Sequence, residues 1–307
     1  MNLRLEFAES LNKISLKDKK LTVVVGDISH GILKNFRKNS PKNYFNIGIC
    51  EPSMISFGAG LSKAGLTPVM HTIAPFLIER CVEQIKIDFS YNNLNGNFVS
   101  VGSSFDYSKL GCTHHSYSDF AIIKNIPNTQ IFYPSGKNEF YKLFLESYNK
   151  NKINYFRLPS EMHSEIIDEK KIKAGKAIKI VDGNKLTICC FGPHLSELKE
   201  IVMMFKKRKI DIDLLYYPTI KPFDSKSLIK SIKKTKKIFV VEEHCLNGGG
   251  TGSVQDVILK NSLSVKSYFL NLENLFVKNY GEHKDLKKEL GFSKKNYLKI
   301  IKNLLKK

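Results

Sequence analysis

No apolar run in the 307-residue sequence approaches the ~20 residues that a membrane helix needs, so no helical membrane span is expected. The opening MNLRLEFAES carries acids at Glu6 and Glu9 and lacks an apolar core, so no secretion signal is read there. Cysteine is sparse. Cys50, Cys81, Cys112, Cys189, Cys190 and Cys245 form neither a disulfide framework nor a CxxC metal pattern, and reduced thiols in a cytoplasmic protein are expected. Low-complexity tracts and short fixed-period repeats are absent. Arginine is also scarce: the formal net charge of +20 is almost all lysine, spread through both halves and densest around Lys170–Lys176, Lys206–Lys209, Lys233–Lys237 and the tail. A nucleic-acid site would show arginine with interleaved aromatics on one element, so no nucleic-acid partner is expected. The excess would instead favour anionic substrates by long-range attraction.

What remains is a globular composition, 42% hydrophobic and 25% charged, long enough for two domains. Residues 3–14 have helical apolar spacing at Leu3, Phe7, Leu11 and Ile14. Strand-like runs follow at 21–25, 44–49, 67–73, 97–102, 128–134 and 153–158, with helical stretches at 52–64, 75–90, 118–125 and 136–149 between them. This alternation predicts a mainly parallel sheet covered by helices on both faces. The charged stretch 166–184 reads as a linker between domains 1–165 and 185–307. A second α/β alternation then runs through strands 186–192, 211–218, 237–244 and 267–272, and the tail 282–306 reads as a basic helix. The fold class expected is therefore α/β, in two domains.

Glu51 stands out on position alone. It follows the strand-like FNIGIC and precedes Pro52-Ser53-Met54, a proline-marked helix start. Open α/β sheets place ligands at that edge, although an acid there also suits a helix N-terminus without any ligand. In GCTHHSYSD (111–119), adjacent His114 and His115 lack a third metal ligand, and one histidine facing a cleft with Asp119 as a helix cap is the simpler reading. LNGGGTGSVQDV (246–257) looks like a phosphate-cradling loop but lacks both GxGxxG spacing and a P-loop Lys-Ser/Thr, which favours a tight turn with close helix packing. Asp182-Gly183-Asn184 reads as a hairpin-like turn.

In order, GDIS (26–29), FNIGICEPSMISFGAGLSKAGLTPVMHTIAPF (45–76), ERCVEQIK (79–86), GCTHHSYSD, IPNTQIFYP (126–134), YYPTIKPFD (216–224), VVEEHCLNGGGTGS (240–253) and VKNYGEHKDLKKELGFS (277–293) resemble the carboxyl-terminal two-thirds of transketolases and the smaller subunit of split ones. The resemblance covers essentially the whole chain. It implies a pyrimidine-binding domain followed by a transketolase C-terminal domain, with thiamine diphosphate as cofactor and transfer of a two-carbon ketol unit as the reaction. Glu51 is then the catalytic acid that hydrogen-bonds the pyrimidine ring nitrogen, and Phe76 the aromatic that stacks on that ring. Ile73 replaces a second aromatic, and Asp27 lies in the family's short Asp-containing turn. His114 aligns with a catalytic, substrate-facing histidine, and Arg4 and Arg157 with arginines that hold the sugar phosphate. His115 replaces a glutamine. Family members bind the diphosphate through Mg2+ held by a GDG…N segment, which Gly26-Asp27-Ile28 does not match. The resemblance therefore implies that metal ligands come from a separate N-terminal subunit, in an assembly of two of each chain.

The pattern departs from sugar-phosphate transketolases at three places: Gly102 replaces a histidine, Leu110 an aspartate, and Gly31 a phosphate-binding serine. The reaction core matches while the recognition shell does not, which predicts an unusual or nucleotide-linked sugar substrate. Three alternatives stay open: the beta chain of a 2-oxo acid dehydrogenase, a deoxyxylulose-phosphate-synthase-like enzyme, and a non-catalytic assembly subunit.

Overall fold

The computed structural model describes residues 2–272 and 276–306. The first unit is built on β1 (Leu21–Val25), β2 (Tyr44–Asn46), β3 (Thr67–Ile73), β4 (Gly96–Val101), β5 (Thr129–Phe132) and β6 (Ile153–Leu158). The second uses β7 (Ile178–Val181), β8 (Thr187–Cys190), β9 (Asp213–Tyr216), β11 (Lys237–Cys245) and β12 (Lys266–Leu272), while β10 (Thr219–Lys221) crosses back to the first sheet. The strand orders are β10-β5-β6-β4-β3-β1-β2 and β12-β11-β8-β9-β7. Only β10 and β7 run antiparallel to their neighbours.

β1 illustrates why the sheet is buried on both faces. All five of its residues are inaccessible. Leu21, Val23 and Val25 belong to one core with Phe7 and Leu11 of α1 (Leu3–Ser15) and Phe36 of α2 (Lys34–Asn39). Val24 belongs to the opposite core with Met54, Ile55 and Ala59 of α3 (Glu51–Lys63). Side chains alternate across a strand, so a strand covered on both faces reads as the unbroken run LTVVV.

The structure departs from the expected linker, the expected turn and one expected helix. Residues 178–181, assigned to the linker, form β7 and pair with β9, so the second sheet begins inside that segment. The turn at Asp182–Asn184 leads from β7 to β8, but these strands are not neighbours, so it closes no hairpin. Both errors have one cause: IKIV lies among lysines, and half of it is solvent-facing at a sheet edge. The expected single helix at 75–90 is instead wound as π-helical Pro75–Glu79, a short α-turn at Val82–Gln84 and π-helical Ile85–Tyr91. Such wide turns occur often at functional sites.

The two units are joined by buried polar contacts. Arg157 on β6 is fully buried between the rings of Phe120 and Tyr133. Its guanidinium donates to Asp119 (3.1 Å), Ser103 (2.8 Å) and the backbone carbonyl of Glu243 (3.0 Å) on β11. Tyr216 of the second unit donates to Glu139 of the first (2.7 Å), and Lys221 on β10 donates to the carbonyls of Lys124 and Ile126.

Candidate active site

β4, β3, β1 and β2 are consecutive in the sheet, and their carboxyl ends deliver Gly102, Phe76, Asp27 and Glu51 to one edge. Glu51 is the first residue of α3, followed by Pro52, whose missing N–H costs nothing there. Its side chain is 2% exposed, and its carboxylate accepts from Arg80 Nη1 at 2.6 Å, with no bond from the α3 backbone. Helix capping therefore does not explain Glu51. Arg80 carries no motif of its own in the sequence. It lies one turn after Phe76 on the π-wound segment, and its Cζ stands 4.3 Å from the centre of the Phe76 ring.

Phe76 is half-buried and meets the His114 ring edge-on, with centroids 5.1 Å apart. His114 in turn meets Tyr107 at 6.0 Å. The His114 Nδ1 is within 3.0 Å of the Thr113 hydroxyl, and desolvation lowers the pKa of the imidazole below its usual value. A neutral ring with Nε2 unengaged among the described residues thus faces the same region as Phe76. Glu79 fixes this loop to the wound segment by accepting from Ser116 (3.1 Å) and Ser118 (3.0 Å). Partial desolvation of this otherwise exposed residue raises its carboxyl above the ordinary range.

A second group forms around Arg4. Its Nη2 donates to Ser29 (3.0 Å), Ser29 donates to His71 Nε2 (2.8 Å), and His71 Nδ1 donates to the Val99 carbonyl (2.8 Å). Full burial, with a smaller contribution from the Arg4 charge, pushes the pKa of His71 down to about 4. The imidazole is therefore neutral, and its Nε2 accepts. Arg4 is partly accessible and makes one side-chain hydrogen bond among the described residues, which leaves guanidinium donor capacity for an anion.

Asp27 is half-exposed at the end of β1. Its carboxylate takes Asn46 Nδ2 (3.1 Å) and His30 Nε2 (3.0 Å), which lowers its pKa, the Asn46 bond having the larger effect. Ile73 ends β3 and is packed against the core. Leu110 is 51% exposed, and a Cβ on Gly31 would meet nothing.

Three expected roles do not fit the geometry. Arg157 has no open face for a sugar phosphate, because the side chain is wholly buried: both Nη atoms are engaged inside the protein, and Nε, without a partner among the described residues, is sealed from solvent. His115 is buried, unlike its half-exposed neighbour His114. Asp119 opens the helix Asp119–Lys124 but serves Arg157 and Tyr155, not the helix N–H groups. The glycine run is a packing device, as its spacing implied: Glu242 accepts from the N–H groups of Gly250 and Thr251 at 2.8 Å each. The anion at this helix N-terminus is the protein's own carboxylate. A Cβ on Gly250 would stand 2.2 Å from the Phe191 ring. Among the described residues no group of three or more His, Cys, Asp or Glu side chains is placed to hold a metal ion. No helix among them is long and apolar enough to cross a membrane.

Comparison with known proteins identifies the family. The family "Transketolase, pyrimidine binding domain" matches residues 1–163, and "Transketolase, C-terminal domain" matches residues 175–296. The chain belongs to the transketolase family. It is 32% identical over 244 residues to an apulose-4-phosphate transketolase subunit of Actinobacillus succinogenes, covering 79% of this chain and 78% of that protein. The corresponding apulose-4-phosphate transketolase subunit of Phocaeicola vulgatus is 26% identical over 99% of this chain and 97% of its own length. In fold, the chain is similar to a split-gene transketolase described as an inactive beta4 tetramer, with a TM-score of 0.87 at 21% identity, covering 99% and 98% of the two chains. The thiamine diphosphate on which transketolases depend finds suitable residues here. A buried carboxylate and a half-buried aromatic ring already hold one flat, hydrogen-bond-donating group between them.

Proposed function

We propose that this chain is the small subunit of a split, thiamine-diphosphate-dependent transketolase that moves a two-carbon ketol unit from a ketose to an aldose-type acceptor. The carrying observation is the buried Glu51 carboxylate at the start of α3, beside the Phe76 ring, in a chain that matches both transketolase domain families. Glu51 would share its acidic proton with the pyrimidine ring nitrogen, Phe76 would stack on that ring, and Ile73 would close its edge. When bound, the cofactor supplies the acidic carbon that carries the two-carbon fragment.

The chain's own residues then divide the remaining work. Neutral His114, with Nε2 unengaged, exchanges a proton with a substrate hydroxyl. Arg4, held by Ser29, takes the anionic end of the sugar. Arg157 stays outside the substrate site. Asp27 belongs to the cofactor-facing edge. The Mg2+ and diphosphate ligands come from a separate N-terminal subunit, in an assembly of two of each chain, in the cytoplasm. The inactivity stated for the beta-only split-gene tetramer supports this dependence.

The names of the two apulose-4-phosphate relatives favour a phosphorylated, non-standard ketose such as apulose 4-phosphate as donor. Gly102 and Leu110, which lack the polar groups of sugar-phosphate transketolases, agree with that choice. The test is to purify the chain with the protein encoded beside it and measure thiamine-diphosphate-dependent ketol transfer. Apulose 4-phosphate, xylulose 5-phosphate and a nucleotide-linked sugar serve as parallel substrates. Turnover by the chain alone, or no turnover by the pair on any sugar, sinks the proposal.

A further inference from the structure

Arg80 makes, with one guanidinium, both contacts that Glu51 and Phe76 are expected to make with the cofactor ring. It donates to the buried Glu51 carboxylate at 2.6 Å and lies over the Phe76 ring at 4.3 Å. A guanidinium and an aminopyrimidine are alike in the features that matter here: each is flat, each can meet a carboxyl group through a nitrogen in its own plane, and each stacks on an aromatic face. We infer that Arg80 is a placeholder: it fills the pyrimidine slot while the cofactor is absent and must leave before the ring can enter.

Burial explains why a placeholder is needed. Glu51 has no other hydrogen-bond partner among the described residues, and an unpaired carboxylate inside a protein is costly. Arg80 satisfies it. The accessibility of the two partners is unequal, 2% for the Glu51 side chain against 42% for that of Arg80, so the arginine is the member free to move toward water. Arg80 has no second ion-pair partner among the described residues, and its neighbour Glu79 is engaged with Ser116 and Ser118. The segment that carries it is π-wound before it and ends its turn at Arg80 itself. Among the described residues, no other side-chain hydrogen bond has to break for Arg80 to swing out.

Two flat groups cannot hold the same carboxylate oxygen and the same space over the ring. Cofactor binding and the Arg80–Glu51 bond are therefore competitive, and the observed affinity is the intrinsic affinity reduced by the fraction of open chains. Contacts from a partner subunit to the rest of the cofactor would offset that reduction. A free chain would then stay unloaded and an assembled one would load.

This inference rests on Glu51 and Phe76 being the pyrimidine slot, and the test separates the two ideas. Thiamine diphosphate with Mg2+ is titrated calorimetrically into the full chain, alone and co-purified with its partner. The proteins compared are the unaltered chain, Arg80→Met, Arg80→Lys, Glu51→Gln and Phe76→Leu. Removing a charge-assisted bond that the ligand must displace should tighten binding by about 10-fold or more in Arg80→Met. Arg80→Lys should give a smaller gain, because ammonium keeps the charge but not the flat fork. That variant also covers the case in which Arg80→Met does not fold. Glu51→Gln and Phe76→Leu should both weaken binding. If those two weaken it while neither Arg80 variant tightens it, the placeholder is wrong and the slot stands. If Glu51→Gln and Phe76→Leu leave affinity unchanged, the slot is elsewhere and both ideas fall.

Discussion

Gly102 and Tyr107 share one volume: a Cβ built on Gly102 would stand 2.3 Å from Cε2 of the Tyr107 ring. Gly102 also has φ +79°, a conformation that costs other residues energy. The space where sugar-phosphate transketolases carry a histidine is thus not empty but occupied by a tyrosine from the following loop. Gly102→Ala should destabilise the chain by ~2–4 kcal/mol, from backbone strain plus overpacking. Gly102→Ala with Tyr107→Ala should cost less than the sum of the single changes, because the clash is shared. Urea denaturation of the four proteins measures the coupling, and strict additivity would contradict it.

The Arg4–Ser29–His71 chain makes stability depend on pH. In the unfolded chain the His71 imidazole takes up a proton near its ordinary value, ~6.5. In the folded chain it does so only at about 4. Between those values the unfolded state binds more protons, so stability present above pH ~6.5 is lost as the pH falls toward 4. Over that window the His71 contribution is about 3 kcal/mol. Other groups titrate there too, so the observable is a difference. The unaltered chain should lose more stability from pH 7 to 4.5 than His71→Gln does, measured by urea midpoint at each pH. Parallel pH profiles would show that His71 is charged in the fold.

Glu51→Gln keeps the shape and can still accept from Arg80, but cannot share an acidic proton. In the assembled enzyme it should slow hydrogen–deuterium exchange at the cofactor's reactive carbon by ~10²–10⁴-fold, the range typical of general acid–base groups. Secondary structure and melting temperature should change little. Near-normal exchange would mean that a different carboxyl serves the ring.

The order of strands and helices was legible because buried parallel strands write themselves as short apolar runs; β1, β3 and β6 occupy the runs expected for them. β7 and β10 were not legible. The first alternates polar and apolar at an edge, and the second is three residues long and pairs with the other unit's sheet. Within the site, the place between a strand and a proline-marked helix singled out Glu51 but left helix capping open, and only the family resemblance implied a role for it. Arg80 was not, since an arginine in ERCVEQIK carries no local sign that it folds back four residues onto Phe76. Arg157 misled because alignment gives position but not accessibility. Its three acceptors come from Asp119, Ser103 and β11, far apart in sequence.

Arg4 and Arg157 should accordingly fail in different ways when replaced, although the sequence puts them in one role. Arg157 is wholly buried, and burial of the Asp119 carboxylate is tolerable only because Arg157 and Tyr155 bond it. Arg157→Met would leave that carboxylate half-satisfied at the junction of the two units. Breaking a buried pair in this way costs ~3–5 kcal/mol. The expected result is a lower urea midpoint and lost cooperativity between the units, with poor recovery of folded chain. Arg4 sits in the first turn of α1, partly accessible, and makes one side-chain bond, to Ser29. Arg4→Met keeps the stem, so the fold should lose no more than ~1 kcal/mol. Its deficit should appear instead in the assembled enzyme, as a KM for a phosphorylated donor raised about 10-fold or more with kcat less affected, since a charge-assisted bond to phosphate is worth ~1.5–3 kcal/mol. An unphosphorylated donor should not distinguish Arg4→Met from the unaltered enzyme. If Arg157→Met folds normally and raises KM for the phosphorylated donor while Arg4→Met does not, the assignment made from burial is reversed and Arg157 is the anion ligand after all.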